Sequence, residues 1–280
     1  MERKDGIRRH FRYDWQEIAR YNPDYLAYVE AERERLGGNH PLFLTQYRLQ
    51  PIRGGGGFLS VQQRAQLCGE HHRKHSYQHG QIYVAGIDLA GEAEEAEDTY
   101  LRALKPRQDS TVVTIGELDF TTGSEMMKQP QVKIVEHYWW TGRKHSVLYP
   151  QLVDILKNVW RCRRIVVDAT GVGEPVSSFL RQVLGSRVIP FTFTQKSKSE
   201  LGFDLLAAIN SGRLKMYRSD GSPECREFWV EMEKAKNQYR PNQTMNFYVD
   251  PSQGHDDFLM SLALTLKAAN QFTPRSARGG

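Results

Sequence analysis

Gln81-Ile82-Tyr83-Val84-Ala85-Gly86-Ile87-Asp88-Leu89-Ala90 is an apolar run of strand length that closes on an acid. Its β-branched and aromatic content predicts a buried strand over 82–89. The same arrangement returns in Val166-Val167-Asp168, where the short run 165–167 again stops at a carboxylate. A third acidic position, Gly254-His255-Asp256-Asp257, opens a helical pattern over 256–270 whose Phe258, Leu259, Leu262 and Leu266 face a core. In parallel α/β sheets ligands gather at the carboxyl ends of strands, so Asp88 and Asp168 can converge although they lie far apart in the chain. A lone Asp in such a place serves ordinarily as a turn residue or cap. Three in matching contexts ask for a shared purpose. Asp256 can be the N-cap of the last helix, with Asp257 in its first turn; Asp257 is then the better ligand and Asp256 its support.

Outward from these acids, strands are expected at 111–118 and 132–140, and helices at 148–160, 175–184, 199–210 and 223–238. Pro175 and Pro223 suit first turns, and Gly212 suits a stop. Three strands, a helix and then strand–helix alternation predict an α/β fold, a mixed sheet flanked by helices. Between the first two strands lies Gly91-Glu92-Ala93-Glu94-Glu95-Ala96-Glu97-Asp98, longer than a hairpin requires. It reads as a solvated loop, with a gate beside the site as the alternative.

Upstream, helices are expected at 15–20 and 25–36, the second closed by Gly37-Gly38. Gly54-Gly55-Gly56-Gly57 reads as a flexible join, because glycine loses the most conformational freedom on ordering. The expected organisation is therefore a small helical linker region over 1–57, a connecting helix over 58–80, the α/β domain over 81–272 and a tail over 273–280.

Composition excludes several classes. The longest apolar stretch, 258–266, is too short for a membrane helix, and no apolar run follows the charged N-terminus. Cys68, Cys162 and Cys225 are far apart and form no C-x-x-C pair, which argues against a disulfide framework and fits a reducing cytoplasm. The net charge of +5 is unevenly spread: residues 1–80 hold 13 Lys and Arg against 9 Asp and Glu, leaving 25 against 24 for the rest. Bulk charge therefore does not draw a polyanion to the acidic portion.

Convergent carboxylates repel one another unless something positive sits among them. A hard divalent cation meets that need, and oxygen donors favour Mg²⁺ or Mn²⁺ over Zn²⁺. Two such ions, about 3.5–4 Å apart, can activate a water and stabilise a leaving oxygen in phosphodiester hydrolysis.

Gly86-Ile87-Asp88-Leu89-Ala90, Asp109-Ser110-Thr111-Val112-Val113, Val166-Val167-Asp168-Ala169-Thr170-Gly171-Val172-Gly173 and Gly254-His255-Asp256-Asp257 together resemble the C-terminal nuclease domain of the large terminase subunit of tailed bacteriophages. Lys196-Ser197-Lys198-Ser199-Glu200-Leu201, Asn210-Ser211-Gly212-Arg213-Leu214 and the upstream His40-Pro41-Leu42-Phe43-Leu44-Thr45-Gln46-Tyr47 are similar to segments of that family as well. The resemblance spans about residues 38–270. It implies a ribonuclease H-like fold and a metal-dependent endonuclease cutting concatemeric double-stranded DNA during packaging. Asp88, Asp168 and Asp257 match the family's metal-binding acids, with Asp88 placed to bridge two ions. Asp109 matches an acid at the start of the second strand in many relatives, a turn residue being the alternative, and His255 is placed to orient an acid or the scissile phosphate. Expected partners are an ATPase motor domain, a small terminase subunit and a portal ring, at the procapsid portal in the host cytoplasm. Two departures stand out: the acidic insertion lengthens a junction near Asp88, and no G-x-x-x-x-G-K-[ST] phosphate loop occurs. The expectation is a nuclease without its motor, either a piece of a longer protein or a stand-alone enzyme.

Other residues carry weaker signals. His71, His75 and His79 have helical spacing, but no Glu completes an H-E-x-x-H arrangement, so a polar linker helix is expected rather than zinc. Lys196 and Lys198 precede a helix on the edge of the acids and can contact phosphate. Arg161, Arg163 and Arg164 fall at the opposite strand end, on a solvated face. Trp139-Trp140, beside Arg143 and Lys144, could stack on bases, with core packing the better reading. Rival readings are a Holliday-junction resolvase, an actin- or sugar-kinase-like ATP-binding protein opening on Gly86-Ile87-Asp88-Leu89, and a non-catalytic DNA-binding scaffold.

Overall fold

The computed structural model describes residues 13–50, 56–90, 110–121, 129–143, 145–171 and 173–272. The acidic stretch 92–98, Asp109, Lys144 and the tail 273–280 lie outside them.

Helices α1 (Trp15–Ala19), α2 (Pro23–Leu36) and α3 (Pro41–Gln46) come first. The Asp14 carboxylate caps α1, and Asn22 with Pro23 starts α2. Next come the two-residue strand β1 (Gly56–Gly57) and α4 (Val61–Leu67), which opens on a Ser60–Gln63 capping box. Strands β2 (Ile82–Asp88), β3 (Ser110–Asp119) and β4 (Gln131–Thr141) follow, then α5 (His145–Asp154), which runs on into a π-helical turn, Ile155–Val159. The alternation continues through β5 (Arg164–Asp168), α6 (Gly173–Leu184), β6 (Val188–Phe191), α7 (Gln195–Asn210) and β7 (Leu214–Lys215). The last elements are α8 (Pro223–Lys234), β8 (Lys236–Tyr239), β9 (Met245–Tyr248) and α9 (Asp257–Asn270).

The main sheet has the order β6-β5-β2-β3-β4-β7. β2, β3 and β4 form an antiparallel meander, while β5 runs parallel to both β2 and β6, and β7 parallel to β4. Side chains alternate across the sheet, as strand geometry requires. Tyr83, Ala85, Ile87, Val113, Ile165 and Val167 face one layer, built by α5 and α6. Val84, Val112, Val132, Ile134 and Val166 face the other, built by α7, α8 and α9. This is the expected mixed sheet flanked by helices.

Three expectations need correction. The stretch 58–80 is not one helix: α4 ends at Leu67, and residues 69–80 are non-helical, tied along β4 and its surroundings. His71 Nε2 lies 2.7 Å from Ile134 O and His75 Nδ1 2.9 Å from Glu136 Oε2, so the histidine spacing is filled by strand-edge partners and not by a helix face. Gly56 and Gly57 are not a loose join, since β1 pairs antiparallel with β8. The helix expected over 223–238 stops at Lys234, because residues 236–239 pair with β9 to make the three-stranded sheet β1-β8-β9.

The N-terminal helices pack on the α/β portion. Trp15, Val29, Leu36, Phe43 and Tyr47 form one apolar cluster with Ala207 of α7. His40, fully buried, accepts from Leu42 N through Nδ1 and places Nε2 3.0 Å from Phe203 O, also on α7.

Candidate active site

The alternation that fills the two layers also aims the acids. Asp88 follows Ile87 of the α5–α6 layer and therefore shares the opposite face with Val84 and Gly86; Asp168 follows Val167 and shares that face with Val166. Because Ile87 pairs with Val167 across two parallel strands, the acids stand side by side, one residue beyond the last ladder pair. Both look toward the layer that contains α9.

Helix α9 lies close against this face because Gly86 has no side chain. An added Cβ there would collide with Thr265 N and Ser261 O. Ser261 and Thr265, both fully buried, are hydrogen-bonded to β3: the Thr114 and Ser261 hydroxyls are 2.7 Å apart, and Thr265 Oγ1 donates to Thr114 O at 3.1 Å. One turn before Ser261, on the same helix face, is Asp257. Its Oδ2 accepts from Ser110 N, at the start of β3, at 3.0 Å. Asp257 is thus brought to the sheet end where Asp88 and Asp168 finish their strands.

Asp168 is oriented by its own turn, with Thr170 N donating to its Oδ1 at 2.8 Å. Gly173 lets α6 begin against this turn, where a Cβ would meet Asp168 O. Asp256 has no side-chain capping bond to α9. It lies 3.9 Å from the ammonium of Lys198, in the first turn of α7. Lys196, one residue earlier than the Thr194–Ser197 capping box closes, is exposed. His255 is half-buried beside Asp256.

Burial pushes the Asp88 carboxyl well above the usual carboxylate range, and the like charges of Asp257, Asp168 and Asp256 push it further, with Lys198 opposing. Asp88 nonetheless keeps some exposed surface. Burial also raises Asp168, against the pull of its Thr170 hydrogen bonds and of Lys198.

A further carboxylate escaped the sequence reading. Glu231 of α8 is 2% exposed, and its Oε2 accepts from Leu259 N in the first turn of α9 at 3.0 Å. It fills the role that Asp256 was a candidate for, by capping α9 from a neighbouring helix. Burial raises its pKa strongly, and Asp257 and Asp256 add to the shift.

The donor set suits a hard divalent ion in kind and in charge: oxygen ligands only, and mutual repulsion that a cation would relieve. Among the described residues, no three His, Cys, Asp or Glu side chains are close enough together to hold an ion as they stand. That includes the histidines at 71, 75 and 79. Trp139 packs edge-on to Phe258 and Trp140 stacks on Tyr138, which favours the packing reading of the tryptophan pair. Arg161 lies over the Tyr77 ring and Arg164 extends to Gln271 O, at the far strand end.

A family profile described as the terminase RNase H-like domain matches residues 119–268, a span that contains Asp168, Asp256 and Asp257 but begins after Asp88. No curated protein is significantly similar to the chain in sequence. Among solved structures, the large terminase nuclease of the thermophilic phage G20c is similar with a TM-score of 0.54 and 19% identity, covering 78% of this chain and 99% of that one. The G20c nuclease is also known with bound magnesium and with bound cobalt. The nuclease domain of Thermus phage P74-26 gives 0.51 at 17% identity, over 72% and 91% of the two chains. The HK97 bacteriophage large terminase gives 0.51 at 13% identity, and the match spans 89% of this chain and 50% of that one. At such identities the likeness speaks for the fold.

Proposed function

The chain belongs to the terminase RNase H-like domain family, and from that premise we propose that it is a divalent-metal-dependent endonuclease that cuts concatemeric double-stranded DNA during viral genome packaging. The carrying observation is the gathering of acids at one sheet end: Asp88 and Asp168 finish neighbouring parallel strands, Asp257 accepts from Ser110 N at that same end, and burial first, then the like charges of Asp257, Asp168 and Asp256, push the Asp88 carboxyl up. Such a cluster costs stability in a protein that has no cation to put there.

In this reading Asp88, Asp168 and Asp257 would hold the ions, Asp88 being the candidate for a shared ligand, with Asp256 in support. When bound, the ions supply an activated water and charge stabilisation for the leaving oxygen. Mg²⁺ or Mn²⁺ suits the all-oxygen donor set, and the magnesium-bound G20c nuclease is in keeping with this. The protein's own contribution is placement. The sheet sets Asp88 and Asp168 at the ends of adjacent strands, and the Ser110 amide and the close approach of α9 to Gly86 bring Asp257 to the same sheet end. Lys198 and Lys196 at the start of α7 meet backbone phosphate, and His255 orients an acid or the scissile phosphate. ATP hydrolysis belongs to a motor domain, and the expected setting is the portal of a procapsid in the host cytoplasm, with a small terminase subunit.

The test is cleavage of supercoiled plasmid. With Mg²⁺ or Mn²⁺ the protein should nick and linearise DNA with little sequence preference, and chelation should stop it. Asp88→Asn, Asp168→Asn and Asp257→Asn should each reduce cutting to background while leaving the melting transition intact. Metal-dependent cutting that survives Asp88→Asn and Asp168→Asn would overturn the site assignment.

A further inference from the structure

We propose that Lys198 is the internal counter-cation of the acid cluster in the free protein and so controls metal loading, DNA phosphate drawing it away as ions enter. This rests on the nuclease reading above and adds a coupling between DNA and metal that the reading does not contain.

The geometry has three parts. Lys198 stands in the first turn of α7, its amide bonded to Thr194 O at 2.9 Å, so its stem starts from a fixed point. Its ammonium lies 3.9 Å from Asp256 Oδ2 and 5.5 Å from the centre of the Phe247 ring, whose face helps hold it beside Asp256. Its positive charge acts on Asp88 and Asp168 as well, so carboxylates from β2, β5 and the start of α9 all feel it.

The pairing is loose, and that is what makes it releasable. At 3.9 Å, with side-chain exposures of 24% and 31%, the Lys198–Asp256 contact is a partly solvated ion pair of the kind that stabilises little. A lysine is a point charge on a flexible stem, able to turn from a carboxylate to a phosphate without the fixed fork of an arginine. A divalent ion entering the free protein must work against this resident charge. Once a phosphate has engaged the ammonium, the acids are left to the ion. By linkage, whatever DNA does for metal affinity, metal does equally for DNA affinity.

The experiment is a calorimetric titration of Mn²⁺ into metal-free wild type, Lys198→Met, Lys198→Gln and Lys198→Arg at pH 8, alongside the Mn²⁺ dependence of plasmid cleavage. Two neutral replacements of different shape guard against a folding defect in either one. Both should bind Mn²⁺ on the order of ten-fold tighter than wild type in the absence of DNA, and Lys198→Arg should stay near wild type. On saturating DNA, wild type should reach half-maximal cutting at a Mn²⁺ concentration below its free-protein Kd. In the neutral variants the two values should converge, with slower cutting at saturating Mn²⁺ through the lost phosphate contact. Unchanged or weaker Mn²⁺ binding in folded Lys198→Met and Lys198→Gln overturns the proposal. If wild type binds Mn²⁺ and Asp88→Asn abolishes cutting, such a result leaves the nuclease reading standing; if cutting survives Asp88→Asn, the reading itself has failed.

Discussion

At the scale of single residues, burial decides protonation, and His40 makes this measurable. It is fully buried against α7, with one ring nitrogen accepting from Leu42 N and the other facing Phe203 O, and burial pushes its pKa down to about 4 from 6.5. The unfolded chain therefore binds a proton that the folded one refuses, and stability rises with pH between these two values. His40 should contribute up to about 3 kcal/mol that is fully present above pH 6.5 and lost as pH falls toward 4. Denaturant unfolding of wild type and His40→Gln at pH 7, 6, 5 and 4 tests this. Wild type should be the more stable at pH 7, and its advantage should shrink steadily with acidification; a difference that is constant across the range would show that the imidazole is not held neutral. The histidine was legible only as part of a family-like stretch. Its burial depends on α7, more than 160 positions away, which no local pattern contains.

At the scale of elements, the strand-end acids were legible because strand periodicity is local: an apolar run ending in Asp fixes both where the carboxylate stands and which face it takes. What closes the site was not. The last helix is capped by Glu231 from α8, a tertiary substitute for an N-cap side chain, and nothing in the α8 pattern separates Glu231 from the solvated acids near it. The helical pattern of α8 runs on in the sequence for four residues beyond Lys234, to Gln238, because no Gly or Pro breaks it there; pairing with β9 and β1, not local sequence, makes residues 236–239 a strand. Glu231 also gives a prediction of opposite sign to that for His40. Its folded pKa is raised, so the folded chain keeps a proton the unfolded one gives up, and its contribution declines as pH rises out of the ordinary glutamate range. Glu231→Gln keeps an acceptor for Leu259 N and carries no charge, so it should gain on wild type as pH is raised from 5 to 8 in metal-free buffer. Glu231→Leu leaves that amide unpaired in the core and should cost about 1–3 kcal/mol at pH 5. Thermal melts of the three proteins decide it: equal melting of Gln and Leu variants would mean the carboxylate does not cap α9.

At the scale of the whole molecule, α7 connects the N-terminal helices with the acids. Its first turn supplies Lys198, while its second half receives Trp15, Phe43 and Tyr47 through Ala207, and His40 through Phe203. Asn210, at its end, accepts from the side chains of Gln63 and Gln66, and Gly37 fits against Asn210 where a Cβ would collide. Reading 1–57 as an attachment from composition alone could not register this, because the basic surplus and the glycine run are local while the contacts cross well over a hundred residues. The packing predicts one cooperative unit. Phe43 is fully buried between Trp15, at a ring separation of 6.3 Å, and Tyr47, at 5.1 Å. Phe43→Ala should remove about 3–5 kcal/mol, and if the N-terminal helices and the sheet fold as one body that loss must appear in the main transition. Calorimetry should therefore show a single transition at lower temperature. A second, earlier transition with the main one unmoved would mean that the N-terminal helices melt on their own.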